Sequence, residues 1–355
     1  MNNNMSVYKP DWLEAKQRMT DWWAGKKVDR VVASVRAPVN VAENRAYINK
    51  SPDKYIDFET VFNNLDLALR GTFWGGESFP HHFVYFGPMY TMTFFGAEPQ
   101  FNLNTTWYEP CFDNLDELIA YKNAGKSKWW QLYVDMHQKS AERSNGSYMV
   151  TTGGVCALID TIAGVIGNEK LLYAMADEPD KVIEARNALA RWVGPTGELF
   201  HNIAYECNDG GSIGWLGVWC PGRMQVNQCD FCVMISPAMF ERFVFEDLKA
   251  AYDCMDHGMY HLDGEGEIKH LDSLFKLDKI DMIQWIPSNP DYADPLNWID
   301  LFKRIQDSGR KVFINTPYNR IKELLDKIDR DMVYLDIWCP DGQTANQALL
   351  DLEKN

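Results

Sequence analysis

Apolar residues recur with two different periods along the chain. Over residues 9–26, Trp12, Ala15, Met19, Trp22 and Trp23 fall on one helical face, which predicts an amphipathic helix opening behind Asp11 as N-cap and stopping at Gly25. The run 30–35 (RVVASV) predicts a first strand, and Phe58, Val61, Leu65 and Leu69 predict a helix over 57–71. Between Gly71 and Pro110 the periodicity lapses into glycine, proline and aromatics (FWGGESFPHHFVYFGPMYTMTFFGAEP). That stretch is too apolar for a solvated linker and reads as an ordered excursion laid over the rest of the fold.

A helical pattern returns over 114–144, and the second half is regular. Strands are predicted at 148–152, 213–219, 259–263, 282–286, 312–315 and 333–338. Helical patterns at 168–176, 179–201, 237–255, 270–277, 298–308 and 320–328 separate them. Strands alternating with helices indicate parallel βαβ units. With 30–35 and one strand from 71–110 the count reaches about eight, the number that closes a (β/α)8 TIM barrel. The expected organisation is α/β: residues 1–28 as a helical lead-in, and 29–355 as one barrel domain with an aromatic extension. No internal repeat or Gly/Ser linker divides it.

Charge narrows the partners. The chain has 50 acidic against 35 basic residues, a net charge of −15, and no Lys/Arg stripe. Nucleic acid and anionic membrane surfaces are therefore not expected as partners. No segment approaches the ~20 apolar residues of a membrane span, and the N-terminus lacks a signal-peptide pattern. Eight scattered cysteines fit reduced thiols and a cytoplasmic location. A small-molecule substrate and a homodimer are the expected associations. Thirteen tryptophans suit an aromatic-lined pocket as well as a core.

The candidate chemistry gathers at predicted strand ends. His261 and Asp263 are two apart and face one side of an extended strand; Gly264 then permits a sharp turn toward Glu265 and Glu267. In a parallel barrel all the carboxyl ends open on one face. The residues brought there are Arg36, Thr151-Thr152-Gly153-Gly154, Trp219-Cys220, Gln284-Trp285, Asn315-Thr316, Asp336, Trp338 and Cys339. His261, Asp263 and Glu265 are the expected catalytic residues. Arg36, His82, Trp219, Trp285, Asn315, Asp336 and Trp338 are expected to bind substrate. His261, Asp263 and Cys339 form an N, O, S donor set for Zn²⁺ with a position left open. Plainer readings stand beside these: Cys339 as a buried small hydrophobe, Glu265 and Glu267 as solvated loop carboxylates, and Cys229-Asp230-Phe231-Cys232 as a packed turn before the helix at Pro237. Walker, dinucleotide-binding, G-x-S-x-G and H-E-x-x-H motifs are absent.

Four stretches carry a resemblance to a known family: Trp12…Arg18…Trp22…Gly25…Asp29-Arg30; Ile166-Gly167-Asn168-Glu169-Lys170-Leu171-Leu172 with Asp177-Glu178-Pro179-Asp180-Lys181-Val182; Ile235-Ser236-Pro237-Ala238-Met239-Phe240-Glu241-Arg242-Phe243; and Tyr260-His261-Leu262-Asp263-Gly264. Together they resemble the uroporphyrinogen decarboxylase-like superfamily, and within it the corrinoid-protein-dependent methyltransferases. The resemblance implies a (β/α)8 barrel and zinc held by histidine and cysteine. It also implies methyl transfer between a separate corrinoid protein and a small thiol or pterin acceptor. His261 matches the family histidine and Cys339 the late cysteine, whereas Asp263 stands in place of the first cysteine, a harder ligand than thiolate. The arginine motif R-Q-A-G-R of the decarboxylases is missing, and so is a corrinoid-binding D-x-H-x-x-G, so any corrinoid arrives on a partner. A zinc-assisted methyltransferase is the leading expectation. The alternatives are a carbohydrate hydrolase or lyase using Glu265, Glu267 and Asp336, and a related barrel protein repurposed for another small molecule.

Overall fold

The computed structural model describes residues 4–39, 53–102, 105–153 and 157–354. In chain order its strands are β1 (Val32–Pro38), β2 (Thr72–Gly76), β3 (His81–His82), β4 (Pro99–Phe101), β5 (Thr106–Tyr108), β6 (Met149–Val150) and β7 (Gly211–Ile213). They continue with β8 (Trp219–Pro221), β9 (Met224–Asn227), β10 (His257–Asp263), β11 (Met282–Ile286), β12 (Lys311–Asn315) and β13 (Val333–Trp338). Seven make one sheet in the order β2-β1-β13-β12-β11-β10-β9. All its pairings are parallel except β1 with β2. Three two-stranded sheets accompany it, β3-β6, β4-β5 and β7-β8. The fold is thus mixed α/β with a mostly parallel central sheet, whereas hydrogen-bonded closure into an eight-stranded barrel is not detected among the described residues.

Two departures from the predicted elements have local causes. The apolar run 213–219 is not one strand. Gly214 and Gly217 turn it back on itself, with Gly217 N–H donating to Gly214 O at 2.8 Å and Gly217 at φ +74°, so β7 and β8 form a hairpin. The parallel neighbour of β10 is instead β9, four residues too short and too mixed to stand out in sequence. At the other edge, Gly76 takes φ +61° where a Cβ would collide with the Ala33 carbonyl, and the chain folds β2 back antiparallel to β1.

Alternation along the strands gives the central sheet two distinct faces. Ala33, Val35, Tyr260, Leu262, Ile283 and Leu335 belong to the larger core, which also takes in the surrounding helices. Val32, Met224, Met259, Met282, Phe313 and Tyr334 face the other way, near the amino ends of their strands, where the helix Trp12–Trp23 seals them with its apolar stripe. Trp22 Nε1 donates to Asp331 O and Trp23 Nε1 to Trp219 O, each at 2.9 Å. Each such side chain contributes ~1.5–3 kcal/mol by burial. Asp11 does not cap this helix; its carboxylate is taken by Lys9 Nζ at 3.1 Å, and Lys9 also donates to Gly76 O at 2.6 Å. Fully buried Glu77 binds Arg30 through both oxygens, Arg18 at 2.8 Å, and the Ala33 N–H at 2.9 Å. The helix and the edge of the sheet are therefore locked together at the amino end. The carboxyl end is left open for polar groups.

Candidate functional site

β10 ends in the pattern anticipated from its spacing. His261 and Asp263 leave the same face, and His261 Nε2 lies 3.8 Å from Asp263 Oδ2. Gln284 is in register with His261 on β11, and His261 Nδ1–H donates to Gln284 Oε1 at 2.5 Å. With Nδ1 engaged there, Nε2 is left to face Asp263, carrying a proton when the ring is an imidazolium and a lone pair when it is neutral. Gly264 turns the chain at φ +92°, where a Cβ would run into the Ser288 hydroxyl.

In front of these groups is a cavity of about 370 Å³. The aromatic excursion supplies Phe83, Tyr85 and Tyr90 to its wall, the helix Lys128–Ser144 supplies Tyr133, and the 214–217 turn supplies Trp215. Tyr90 stacks on Tyr133 at 4.3 Å, and Trp215 meets His261 edge-on at 5.0 Å. Gln228 and Asp230 complete the polar side with His261 and Asp263. Among the described residues, no lysine or arginine lines this cavity.

Asp230 is held by backbone. The nearly fully buried carboxylate of Asp160 accepts the N–H groups of Asp230 at 3.1 Å and Phe231 at 2.8 Å. Burial, and secondarily the charge of Asp263, raises the Asp230 carboxyl above its ordinary range. The His261 imidazole holds Asp263 below its own. Two neighbouring carboxyls pushed in opposite directions are an arrangement suited to proton handling.

The remaining predicted residues divide. Arg36 Nη2 contacts both oxygens of Asp336 at 2.6 and 2.8 Å, and its guanidinium lies 5.2 Å from the Trp338 ring. Asn315 is in register with Asp336 and exposed. These four share the ends of β1, β12 and β13 and do not line the cavity in front of His261.

Trp219, Trp285, His82 and Cys339 are corrections. Trp219 is buried with the helix Trp12–Trp23 at the amino end, its Nε1 donating to Asn208 O at 3.1 Å. Trp285 sits one residue past Gln284, so it points into the helix-packed core against Trp298 at 4.7 Å. His82 is buried on Ser140, with 2.7 Å between Nδ1 and Oγ. Cys339 follows Trp338 and so faces away from Asp336, fully buried in the larger core, where burial pushes its thiol up to about 11. The donor set His261, Asp263, Cys339 is therefore not assembled, and no group of three or more His, Cys, Asp or Glu side chains suited to a metal ion is found among the described residues.

Glu265 is exposed on the loop, accepting the Ser288 N–H at 3.3 Å, and does not line the cavity. Glu267 is buried on the Tyr260 hydroxyl at 3.2 Å, its carboxyl pushed up to about 11 by burial. With Asp336 occupied by Arg36, the carboxylates expected for a glycoside reaction do not face one another. The Cys229–Cys232 segment is a buried turn, Cys232 N–H donating to Cys229 O at 3.0 Å, just ahead of the helix Pro237–Phe243. Gly154 lies outside the described residues.

The fold is similar to that of a methyltransferase from Methanosarcina mazei. The TM-score is 0.60 over 96% of this chain and 98% of the other, at 12% sequence identity. At that identity the likeness shows the fold alone. No protein-family model matches the chain, and no curated protein matches it. Among the described residues, no helix is long and apolar enough to cross a membrane.

Gln228, Trp215 and the three tyrosines were not anticipated at the site, and Asp230 and Gln284 were noted without being given a role there. Gln284 was accessible by parity, since Met282 and Gln284 share a face. Asp230 was hidden inside the C-x-x-C spacing.

Proposed function

We propose that the protein is a methyltransferase-like enzyme that moves a methyl group between a small molecule held against His261 and Asp263 and a second substrate. A separate corrinoid protein is the exchange partner and a small thiol or pterin the acceptor class, as the family resemblance implies. The observation that carries this reading is the orientation of His261: Nδ1 is committed to Gln284, and Nε2 faces Asp263 at the edge of an aromatic-walled cavity. The fold likeness to a methyltransferase supports it. The same reading takes the central sheet and the short β3-β6 and β7-β8 pairs as one (β/α)8 barrel domain.

When a thiol accepts the methyl group, a C–S bond forms and the donor–carbon bond breaks, its electron pair staying on the donor atom. The S–H proton passes to His261 Nε2. Asp263 stabilises the resulting imidazolium, and the aromatic wall excludes water. General-base help of this kind is worth ~10²–10⁴-fold. Because Cys339 faces the opposite side of the sheet, no step is routed through zinc.

The test is direct: the protein is incubated with methylcobalamin and a small thiol, and the methyl thioether is quantified by mass spectrometry. Formation well above the uncatalysed rate is expected. Formation at the uncatalysed rate, with methylcobalamin and with other methyl donors alike, removes the reading.

A further inference from the structure

The cavity that the proposed function uses has a composition that selects for charge type, and this inference rests on that reading of the site. Its apolar wall is aromatic on several sides, from Tyr85, Tyr90, Tyr133 and Trp215. Its polar side carries two carboxylates, Asp230 and Asp263. Aromatic faces are negative at their centres and attract a soft, weakly hydrated cation. No lysine or arginine among the described residues enters the cavity to satisfy the carboxylates. Arg36 is engaged by Asp336 and Trp338. An anionic substrate would face the two carboxylates with no lysine or arginine to offset them, whereas a cation would be drawn to them.

We propose that this cavity binds a methylated onium cation, a quaternary ammonium or a sulfonium, as a small-molecule methyl donor that stands in for the methylated corrinoid partner. The volume of about 370 Å³ suits a small molecule. The aromatic rings would hold the methyl groups, and Asp230 and Asp263 would supply the counter-charge. The Trp215 ring joins the aromatic wall to His261. In this arrangement a methyl carbon of the cation is delivered beside the imidazole that handles the acceptor's proton.

Calorimetric titration of the full chain with choline, and with its neutral carbon isostere 3,3-dimethylbutan-1-ol, separates charge from shape. Trimethylsulfonium in a third titration separates sulfonium from ammonium. Choline or trimethylsulfonium is expected to bind at least 10-fold more tightly than the alcohol. Trp215→Leu and Asp230→Asn are each expected to weaken that binding at least 10-fold, whereas Trp215→Phe, which keeps a π face, retains most of it. Equal binding of the alcohol, or onium binding indifferent to Trp215→Leu in a folded variant, overturns the proposal. Methyl transfer from a neutral donor without onium binding overturns it too, and leaves the methyltransferase reading standing. Onium binding without transfer to any acceptor upholds the cation site and overturns both its donor role and that reading.

Discussion

The carboxylate of Asp160 accepts the backbone N–H of Asp230 at 3.1 Å from inside the protein, while the Asp230 side chain faces the cavity. The same carboxylate also takes the Phe231 N–H at 2.8 Å. One buried acidic group therefore fixes a second at the site, which explains how a turn rather than a strand presents it.

Removing that support has a predictable cost. Asp160→Ala leaves two buried N–H groups without acceptors, at ~1–3 kcal/mol each. Asp160→Asn keeps one acceptor oxygen and is expected to cost less. Urea denaturation of both variants checks the order, and onium binding by calorimetry should fall with stability in the alanine variant.

Gly264 is a position where no side chain fits. Its φ of +92° and the Ser288 hydroxyl exclude a Cβ, so Gly264→Ala strains the turn by ~1–3 kcal/mol. Because the turn follows Asp263 directly, ligand binding should weaken together with thermal stability. A variant with wild-type stability and wild-type binding would show that the turn does not set the geometry of the β10 end.

Acid sensitivity follows from buried histidines. Burial lowers His137 to about 4 and His82 to about 3. Folding therefore favours their neutral forms. Their stabilising contribution is complete above the ordinary histidine value of about 6.5 and is lost as pH falls toward the folded-state values, by up to ~1.4 kcal/mol per pH unit for each group. His137 packs between Tyr133 and Phe200 at ring distances of 4.5 and 4.4 Å, so His137→Phe retains the contacts and removes the titration. Stability measured between pH 6.5 and 4 should fall less steeply in that variant.

At the opposite end, buried Glu77 neutralises buried Arg30 and also binds Arg18, which keeps a second partner in exposed Asp29. Glu77→Ala leaves buried guanidinium charge unpaired and should cost ~3–5 kcal/mol, read as a lower Tm and a loosened helix Trp12–Trp23. A loss below about 1 kcal/mol would mean that the arginines reach water once Glu77 is gone.

Much of the architecture was legible because alternation and helical spacing are local signals. β11 and β13 coincide with the predicted bounds, and the stripe of Trp12, Ala15, Met19, Trp22 and Trp23 is buried as its spacing requires. Parity decided the site. His261, Asp263, Arg36 and Asp336 fall on the open face, whereas Trp285 and Cys339 lie one residue out of phase and enter the core. Chemical type favoured them; strand geometry did not. The segment 71–110 stayed unreadable as elements because its backbone is set by glycine turns and aromatic packing rather than by a period. Yet its composition did mark a pocket wall.

The most direct test compares wild type with His261→Asn in methyl transfer from methylcobalamin or a methylated onium donor to a small thiol. We expect transfer by wild type, a fall of at least 10²-fold in the variant, and onium affinity within a few-fold of wild type. Equal rates in the two proteins, or no transfer by wild type from either donor, would contradict the assignment of His261 and its cavity to methyl-transfer chemistry.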